Sequence, residues 1–271
     1  LLSETRLLEP GGRFGFAGIA TPDFGACAIL PARMHGLRRS LFEAGWGGYL
    51  PLSNVKVPYA YQLISTSLFL GPTHSLTRLP GYCESCKELG KIDPEHFLYF
   101  DPAALPRAYL ASRCESVADA GTSIGRVADP AHFTLGTAVL EGLTPEEVKL
   151  CQAASGKVAR VGIQDDQGAE VVLEKVTGPA VLVLNDTFYP GWGARDLISG
   201  EVLEIHPANH AMRGLILKEK RDYKVIFEYR PAWLGMARGL VLVALAALVG
   251  LMWPWIVPLF SRKKRRTPVP K

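Results

Sequence analysis

Five polar and aromatic residues in the second half of the chain carry the groups that proteins use to hold sugars: Asp186, Tyr189, Trp192, Asn209 and Arg213. Carboxylate, amide and guanidinium groups bond to hydroxyls, and aromatic rings pack on the apolar face of a sugar. The same residues have concrete structural roles, since the carboxylate and the amide suit turns and Arg213 can pair with Asp186 across strands. Buried polar groups near turns generally serve the backbone, so the sequence favours a packed corner over a binding site.

Three of these residues follow directly after a continuous apolar strand. Residues 181–184 have no polar interruption, which is typical of a strand buried on both faces, and Pro190 and Gly191 then mark a turn. After residue 156 the pattern has period two and predicts strands at 158–163, 169–176, 180–184, 201–206, 214–218 and 223–229. Six short strands with this spacing predict an antiparallel β-sandwich over residues 156–232.

Residues 1–155 are predicted to form a mixed region of helices and strands, which makes the chain α+β. The first hundred residues are rich in Gly and Pro, and segment 63–70 suits either a short strand or a buried helix. Segment 106–110 reads as a strand entry, and segment 116–128 has helical spacing. Thr144, Pro145 and Glu147 predict a capping box and a short helix that ends near residue 156.

Residues 239–260 predict a single transmembrane helix. The segment has 22 residues without a charge, and at about 1.5 Å per residue it spans roughly 30 Å of hydrocarbon. The basic tail at 261–271 is predicted to stay in the cytoplasm, which puts the large domain outside. Residues 219–238, before the helix, contain five Lys or Arg, and the tail after it contains six. Most of the five belong to a predicted strand of a folded domain, so they count less in the charge comparison that sets the orientation of the helix.

The charge distribution argues against a nucleic-acid partner. The net charge is +4, and the tail alone supplies six positive charges, so the rest of the chain is slightly acidic and has no basic face. The N-terminus has neither an initiator Met nor an export signal. We therefore expect an exported domain of this kind to be the C-terminal portion of a longer membrane protein.

Cys83 and Cys86 have the spacing of a redox or metal motif, and His74 and His96 bracket them. Outside the cytoplasm a local disulfide is the favoured interpretation, with free thiols and a zinc site as alternatives. Pro207 argues against a helical metal pair formed by the histidines at 206 and 210. No phosphate-binding loop, nucleophile elbow or zinc-protease motif occurs in the sequence, and we expect no metal site and no cofactor.

Three segments, at 182–192, 208–214 and 225–231, together with the closing apolar helix, resemble the C-terminus of the YfhO-like bacterial membrane protein family. Segments 105–109 and 139–141 fit the same family in the same order. The chain departs from the family pattern at Asp196–Gly200, where the connection is longer, and at 219–222, where a Gly-containing turn is replaced.

The resemblance implies a C-type, multi-spanning glycosyltransferase that uses polyprenyl-phosphate sugars. In such enzymes the catalytic Asp belongs to an early loop, so the resemblance implies that this chain is a non-catalytic accessory or acceptor-binding part in the bacterial cytoplasmic membrane. Its expected partners are the lipid bilayer and a polyprenyl-linked sugar or cell-envelope glycan. Two alternatives remain open: a membrane-anchored surface module for adhesion or assembly, and a tail-anchored cytosolic protein.

Overall fold

A computed structural model describes residues 6–8, 32–41, 56–64, 66–72, 86–91, 96–158, 160–165, 169–231 and 233–260. The chain divides into two compact units, Leu1–Tyr229 and Arg230–Lys271. The described helices of the first unit are α1 Ala32–Leu41, α2 Ala60–Leu63, α3 Ala120–Val127 and α4 Pro145–Ala153. Its first strands are β1 Arg6–Leu8, β2 Thr66–Pro72, β3 Lys87–Lys91, β4 His96–Phe100, β5 Ala108–Leu110, β6 Arg113–Val117 and β7 Thr137–Glu141. They are followed by β8 Arg160–Asp165, β9 Ala169–Glu174, β10 Ala180–Leu184, β11 Trp192–Asp196, β12 Val202–Leu203, β13 His206–Ala208, β14 Met212–Leu217 and β15 Tyr223–Tyr229.

A six-stranded sheet has the order β5-β10-β14-β13-β7-β6. Only β6 and β7 pair in parallel within it, and α3 lies between them in sequence, as a parallel crossover requires. Every residue of β10 and β14 is buried, which explains the uninterrupted apolar sequence of β10, whereas β14 includes the buried Arg213. Gly214 is needed where β14 meets its neighbours, because an added Cβ would lie 2.6 Å from Leu140 Cδ2.

A five-stranded antiparallel sheet has the order β12-β11-β15-β9-β8. The side chains of β15 alternate as its sequence predicts: Tyr223, Val225 and Phe227 are buried, and the residues between them are only partly covered. A third, four-stranded sheet has the order β1-β2-β4-β3 and comes from the first hundred residues.

Two buried apolar clusters lie in the first unit, and β10 contributes to both. Val181 and Val183 belong to a cluster that includes residues of α1, α2 and α3. Leu182 and Leu184 belong to a second cluster, which includes residues of β9 and β15 from the five-stranded sheet. Successive side chains of a strand point to opposite faces, so this central strand is covered on both sides.

The helix caps follow from local sequence. The predicted capping box is present at α4: Glu147 N–H donates to Thr144 Oγ1 at 3.3 Å, and Thr144 N–H donates to Glu147 Oε2 at 2.9 Å. Asp119 caps α3 by accepting from Thr122 N–H at 2.8 Å. The predicted helix at 116–128 therefore begins later than expected, because residues 113–117 form β6.

The mixed class of helices and several sheets is confirmed, whereas the sandwich stays a prediction. Strands from the two regions predicted as separate, 1–155 and 156–232, share the six-stranded sheet. All described pairings among strands after residue 160 are antiparallel, as predicted. Segment 192–196, for which no strand was predicted, is a strand, and the predicted strand at 201–206 is replaced by the short strands β12 and β13.

The second unit contains α5, Trp233–Phe260, a helix of 28 residues. Its segment Gly235–Trp253 has a mean hydropathy of 2.0, and none of its most apolar stretch is buried. By length and composition this segment can cross a membrane. The helix begins six positions before the predicted start at residue 239. The basic tail at 261–271 lies outside the described residues.

Candidate functional site

Hydrogen bonds to other parts of the chain hold in place the polar residues that follow β10. Asn185 is buried, its N–H donates to Arg107 O at 2.7 Å, and its Nδ2 donates to Leu63 O at 3.1 Å. Phe188 N–H donates to Ala211 O at 2.7 Å. These bonds tie the segment after β10 to the start of β5 and to the turn before β14.

Asp186 lies between two arginines. Arg107 donates to it through both Nε and Nη2, at 3.0 and 2.8 Å, and Arg213 Nη1 lies 3.9 Å from the same carboxylate. The Asp186 side chain is 16% exposed, and the Arg213 side chain is 5% exposed. A bidentate guanidinium contact is the strongest ion-pair geometry that proteins use, so the Asp186 carboxylate is committed to internal partners.

Arg213 is also stacked on an aromatic ring. Its guanidinium carbon lies 3.5 Å from the centroid of the Trp192 ring, and its Nε donates to Thr187 O at 3.1 Å. Burial lowers the pKa of Arg213 to about 10, and the Asp186 carboxylate opposes that shift. The guanidinium therefore stays charged at neutral pH and neutralises the buried side of the carboxylate.

Three aromatic rings complete this corner. Tyr189 lies 5.9 Å from Trp192 and 5.1 Å from Tyr229, and Trp192 lies 5.3 Å from Tyr229, all between ring centroids. Strand pairing explains part of this arrangement, because Trp192 at the start of β11 is opposite Tyr229 at the end of β15. We call the set Arg107, Asp186, Tyr189, Trp192, Arg213 and Tyr229 the aromatic-arginine cluster.

Asn209 bonds with a different set of residues. It has a φ of +47°, a conformation that Asn tolerates better than most residues, in the turn between β13 and β14. Its Oδ1 accepts from Val139 N–H at 2.9 Å, its own N–H donates to Val139 O, and its Nδ2 donates to Tyr109 Oη at 3.2 Å. Both ends of the side-chain amide are thus used to hold β7 and β5.

The structure therefore brings together four of the five residues singled out from the sequence. Their charged groups satisfy one another; Tyr189 and Trp192 are half-buried, and Tyr229 beside them is 40% exposed. These contacts favour the packed-corner interpretation over a sugar site. The sequence did not predict that Arg107 and Tyr229 belong to the cluster. The signals that could have suggested them are an arginine just before β5 and a tyrosine at the end of β15.

A groove of about 750 Å³ lies between two sheet edges, and this feature was not predicted. One wall is β5, at the edge of the six-stranded sheet, and the other comes from the segment before β8 and from β8 itself, at the edge of the five-stranded sheet. The volume is within the range of small-molecule sites. Its lining combines apolar side chains, Leu110, Val158 and Val161, with the cations Arg107 and Lys157.

A close backbone contact builds the second wall of the groove. Ser155 and Gly156 both donate their N–H groups to Pro179 O, at 3.2 and 3.0 Å. A Cβ at residue 156 would lie 2.7 Å from Ala180 Cβ and 2.8 Å from Gly178 O, so only glycine fits there. The segment after α4 is therefore pinned to the start of β10, and Lys157 projects from it with an exposed side chain.

No family model matches this sequence, and neither the curated proteins nor the solved structures contain a match.

The cysteines contribute a bond that the sequence did not reveal. Cys114 on β6 and Cys151 on α4 form a disulfide, and their sequence separation is 37. Cys86 is also disulfide-bonded, and its predicted partner Cys83 lies outside the described residues. The 37-residue spacing carries no motif, and only the fold shows that the two cysteines meet.

The two histidines of the 206–210 segment point to different carboxylates. His206 Nε2 lies 3.2 Å from Glu147 Oε1, whereas His210 Nδ1 lies 3.1 Å from Ala120 O and 3.9 Å from Glu141 Oε1. Burial lowers the pKa of His210, and the Glu141 carboxylate opposes that shift. They do not form the histidine pair considered from the sequence.

Proposed function

We propose that this chain is the extracytoplasmic, non-catalytic part of a membrane glycosyltransferase, and that it binds a polyprenyl-phosphate sugar in the groove between β5 and β8. The observation that carries the proposal is the composition of that groove. Leu110, Val158 and Val161 offer an apolar lining, while Arg107 and Lys157 lie on its two walls. An amphipathic ligand with an isoprenoid chain and a phosphate matches both parts.

The two cations differ in freedom, which suggests separate roles. Arg107 is paired with Asp186, so its guanidinium is fixed in position at the groove wall and its charge is balanced there. Lys157 is exposed and pairs with no carboxylate among the residues that the structure describes. An exposed lysine is a mobile point charge that can close on a phosphate after the lipid has entered.

The extracytoplasmic part of the proposal rests on the Cys114–Cys151 disulfide together with the apolar helix α5. Disulfides persist outside the cytoplasm and are rare inside it. We place α5 in the bacterial cytoplasmic membrane, with the large unit outside and the basic tail inside. This choice also separates the proposal from the tail-anchored alternative, in which the pair would stay reduced.

A binding experiment tests the groove. The full chain in detergent micelles is titrated with farnesyl phosphate and, separately, with farnesol, which lacks the phosphate. We expect Lys157→Ala to weaken farnesyl phosphate binding at least fivefold and to leave farnesol binding unchanged. Lys149→Ala is the matched control, because it removes an exposed lysine of α4 that does not line the groove. Equal loss in both lysine variants would contradict the proposal.

The topology is tested in cells. A Cys27→Ser, Cys83→Ser, Cys86→Ser variant keeps only the cysteines of the Cys114–Cys151 pair. Denatured membranes are treated with a maleimide-linked polymer before and after reduction. An extracytoplasmic domain adds two polymer chains only after reduction, whereas a cytosolic domain adds them in both samples.

We also propose that the two larger sheets pack as the predicted sandwich. The support is the second apolar cluster, to which Leu182 and Leu215 contribute from one sheet and Val171 and Phe227 from the other. Such a core forms when the inner faces of two sheets interdigitate. An experimental structure of the extracytoplasmic unit with facing sheets about 10 Å apart would support this, and widely separated sheets would contradict it.

A second candidate function, assembly with another envelope protein, is favoured by one surface. Leu197, Ile198 and Val202, around the turn from β11 to β12, are exposed by 45%, 60% and 70%. Contiguous exposed apolar side chains commonly mark contact sites. Cross-linking of the full chain in membranes, compared with an Ile198→Ser variant, tests this: a partner band that persists in the variant would remove the candidate.

A further inference from the structure

Three potential metal ligands converge beside the start of α4, away from the residues that line the groove. The side-chain donor atoms of Glu147, Glu204 and His206 all lie within 4.8 Å of one another. Glu147 comes from the first turn of α4, and the other two residues come from the segment that contains β12 and β13. Among the described residues, this is the one such group of three.

The carboxylate of Glu147 is oriented by its neighbours. Its Oε2 accepts from Thr144 N–H at 2.9 Å and from Thr144 Oγ1 at 2.8 Å. Its Oε1 points to His206, with Oε1 and Nε2 separated by 3.2 Å. One oxygen is therefore fixed by the capping box, and the other faces the His206 imidazole, where a metal ion would replace the direct contact. Metal-binding carboxylates usually have such an outer hydrogen bond.

The separation of these two atoms suits a metal ion as well as a direct hydrogen bond. Two ligands of a tetrahedral zinc ion, each about 2.05 Å from the metal, lie about 3.3 Å apart. The observed 3.2 Å between Glu147 Oε1 and His206 Nε2 is close to that edge length. The His206 side chain is 5% exposed and the Glu147 side chain 13% exposed, so both have restricted orientations.

We propose that Glu147, Glu204 and His206 bind a zinc ion. Imidazole nitrogen and carboxylate oxygen are both zinc ligands, and three protein ligands leave one tetrahedral position for water. The exposed Glu204 can rotate to close the site, since its side chain is not packed. This inference does not depend on the glycosyltransferase proposal.

The location gives the ion a structural role. Cys151 near the end of α4 is joined to β6 by the disulfide. Zinc would join Glu147 near the start of α4 to His206 on β13, in the same six-stranded sheet. Both ends of α4 would then be fastened to that sheet, which would hold in place the segment that follows α4 and forms one wall of the groove.

Zinc binding is measured on the full chain in detergent micelles, by competition with a chromophoric chelator. We expect one tightly bound zinc ion per chain, and an affinity at least tenfold lower for Glu204→Gln and for His206→Gln. The exposed side chain of Glu204 makes the first variant safe for folding. His132→Gln is the matched control, because His132 also lies beside a carboxylate, with Nδ1 2.5 Å from Asp129 Oδ2, but belongs to no described group of three.

Thermal unfolding provides a second readout. Zinc should raise the Tm of the wild type and of His132→Gln, because an ion that binds only the folded chain stabilises it. The same addition should leave the Tm of Glu204→Gln nearly unchanged. Absence of bound zinc in the wild type would overturn the proposal, and so would equal zinc affinity in the wild type and both ligand variants.

Discussion

Removing the Cys114–Cys151 disulfide should destabilise the first unit, Leu1–Tyr229, strongly. The bond closes a loop of 37 residues, and the chain-entropy relation for a loop of that size gives about 4 kcal/mol. The location supports a value of this order, because Cys151 is 1% exposed and Cys114 packs against the first apolar cluster. The perturbation is the Cys114→Ala, Cys151→Ala double variant.

The assay is guanidinium unfolding of the full chain in detergent micelles, followed by far-UV circular dichroism. We expect the double variant to lose about 4 kcal/mol of unfolding free energy. The disulfide at Cys86 is a separate contribution, and it is isolated by adding reductant to the double variant. A loss below about 1 kcal/mol would refute the reasoning that this bond restricts the unfolded chain.

Three further predictions concern single side chains. Gly156→Ala should cost about 1–3 kcal/mol of unfolding free energy in the same assay, because the new Cβ meets Ala180 Cβ at 2.7 Å; an unchanged midpoint would show that the wall relaxes freely. Asp196 is buried and accepts bonds from Arg221 and Ser199, which with its backbone partners hold its pKa below the usual range despite burial. The ionised Asp196 therefore contributes fully to the free energy of unfolding above about pH 4, and this contribution is lost as the pH falls through the folded-state pKa. The free energy of unfolding of Asp196→Asn should accordingly fall less steeply in acid than that of the wild type. Identical curves for the two proteins would disprove this. Trp192→Leu should lower the free energy of unfolding by about 2–4 kcal/mol, since it removes the packing of the ring and its stacking with Arg213. Val202→Ala, a change at an exposed residue, is the control and should lower it by less than about 0.5 kcal/mol in the same assay.

Strands β10 and β15 were predictable because each has a regular burial pattern along its whole length. The limits of β10 and β15 agree with the predicted 180–184 and 223–229, since one strand is buried throughout and the other alternates along its length. The capping box was predictable because three neighbouring residues define it. Strand β11 was not, because Trp192–Asp196 contains glycine and two charges, and its pairing with β15 overrides that weak local preference.

The site was predictable only in part, for a related reason. Asp186, Tyr189 and Trp192 are neighbours in sequence, and the pairing of Leu184 with Arg213 in the sheet brings the arginine to them. Asn209 shares their chemistry but serves β7 instead. One wall of the groove is segment 106–112, which contains β5, and the other is segment 155–158 with Val161 of β8. Strands β5 and β8 belong to different sheets, so no local pattern could reveal the groove.

The most direct test of the proposed function is capture of lipid by the groove in living cells. A photo-crosslinking amino acid is placed at Leu110, which lines the groove, and at Ile198, which does not. After irradiation, mass spectrometry of the purified chain identifies attached lipids. The proposal predicts a polyprenyl-phosphate adduct at position 110 and none at position 198. Absence of that adduct at 110, or equal amounts at both positions, would contradict it.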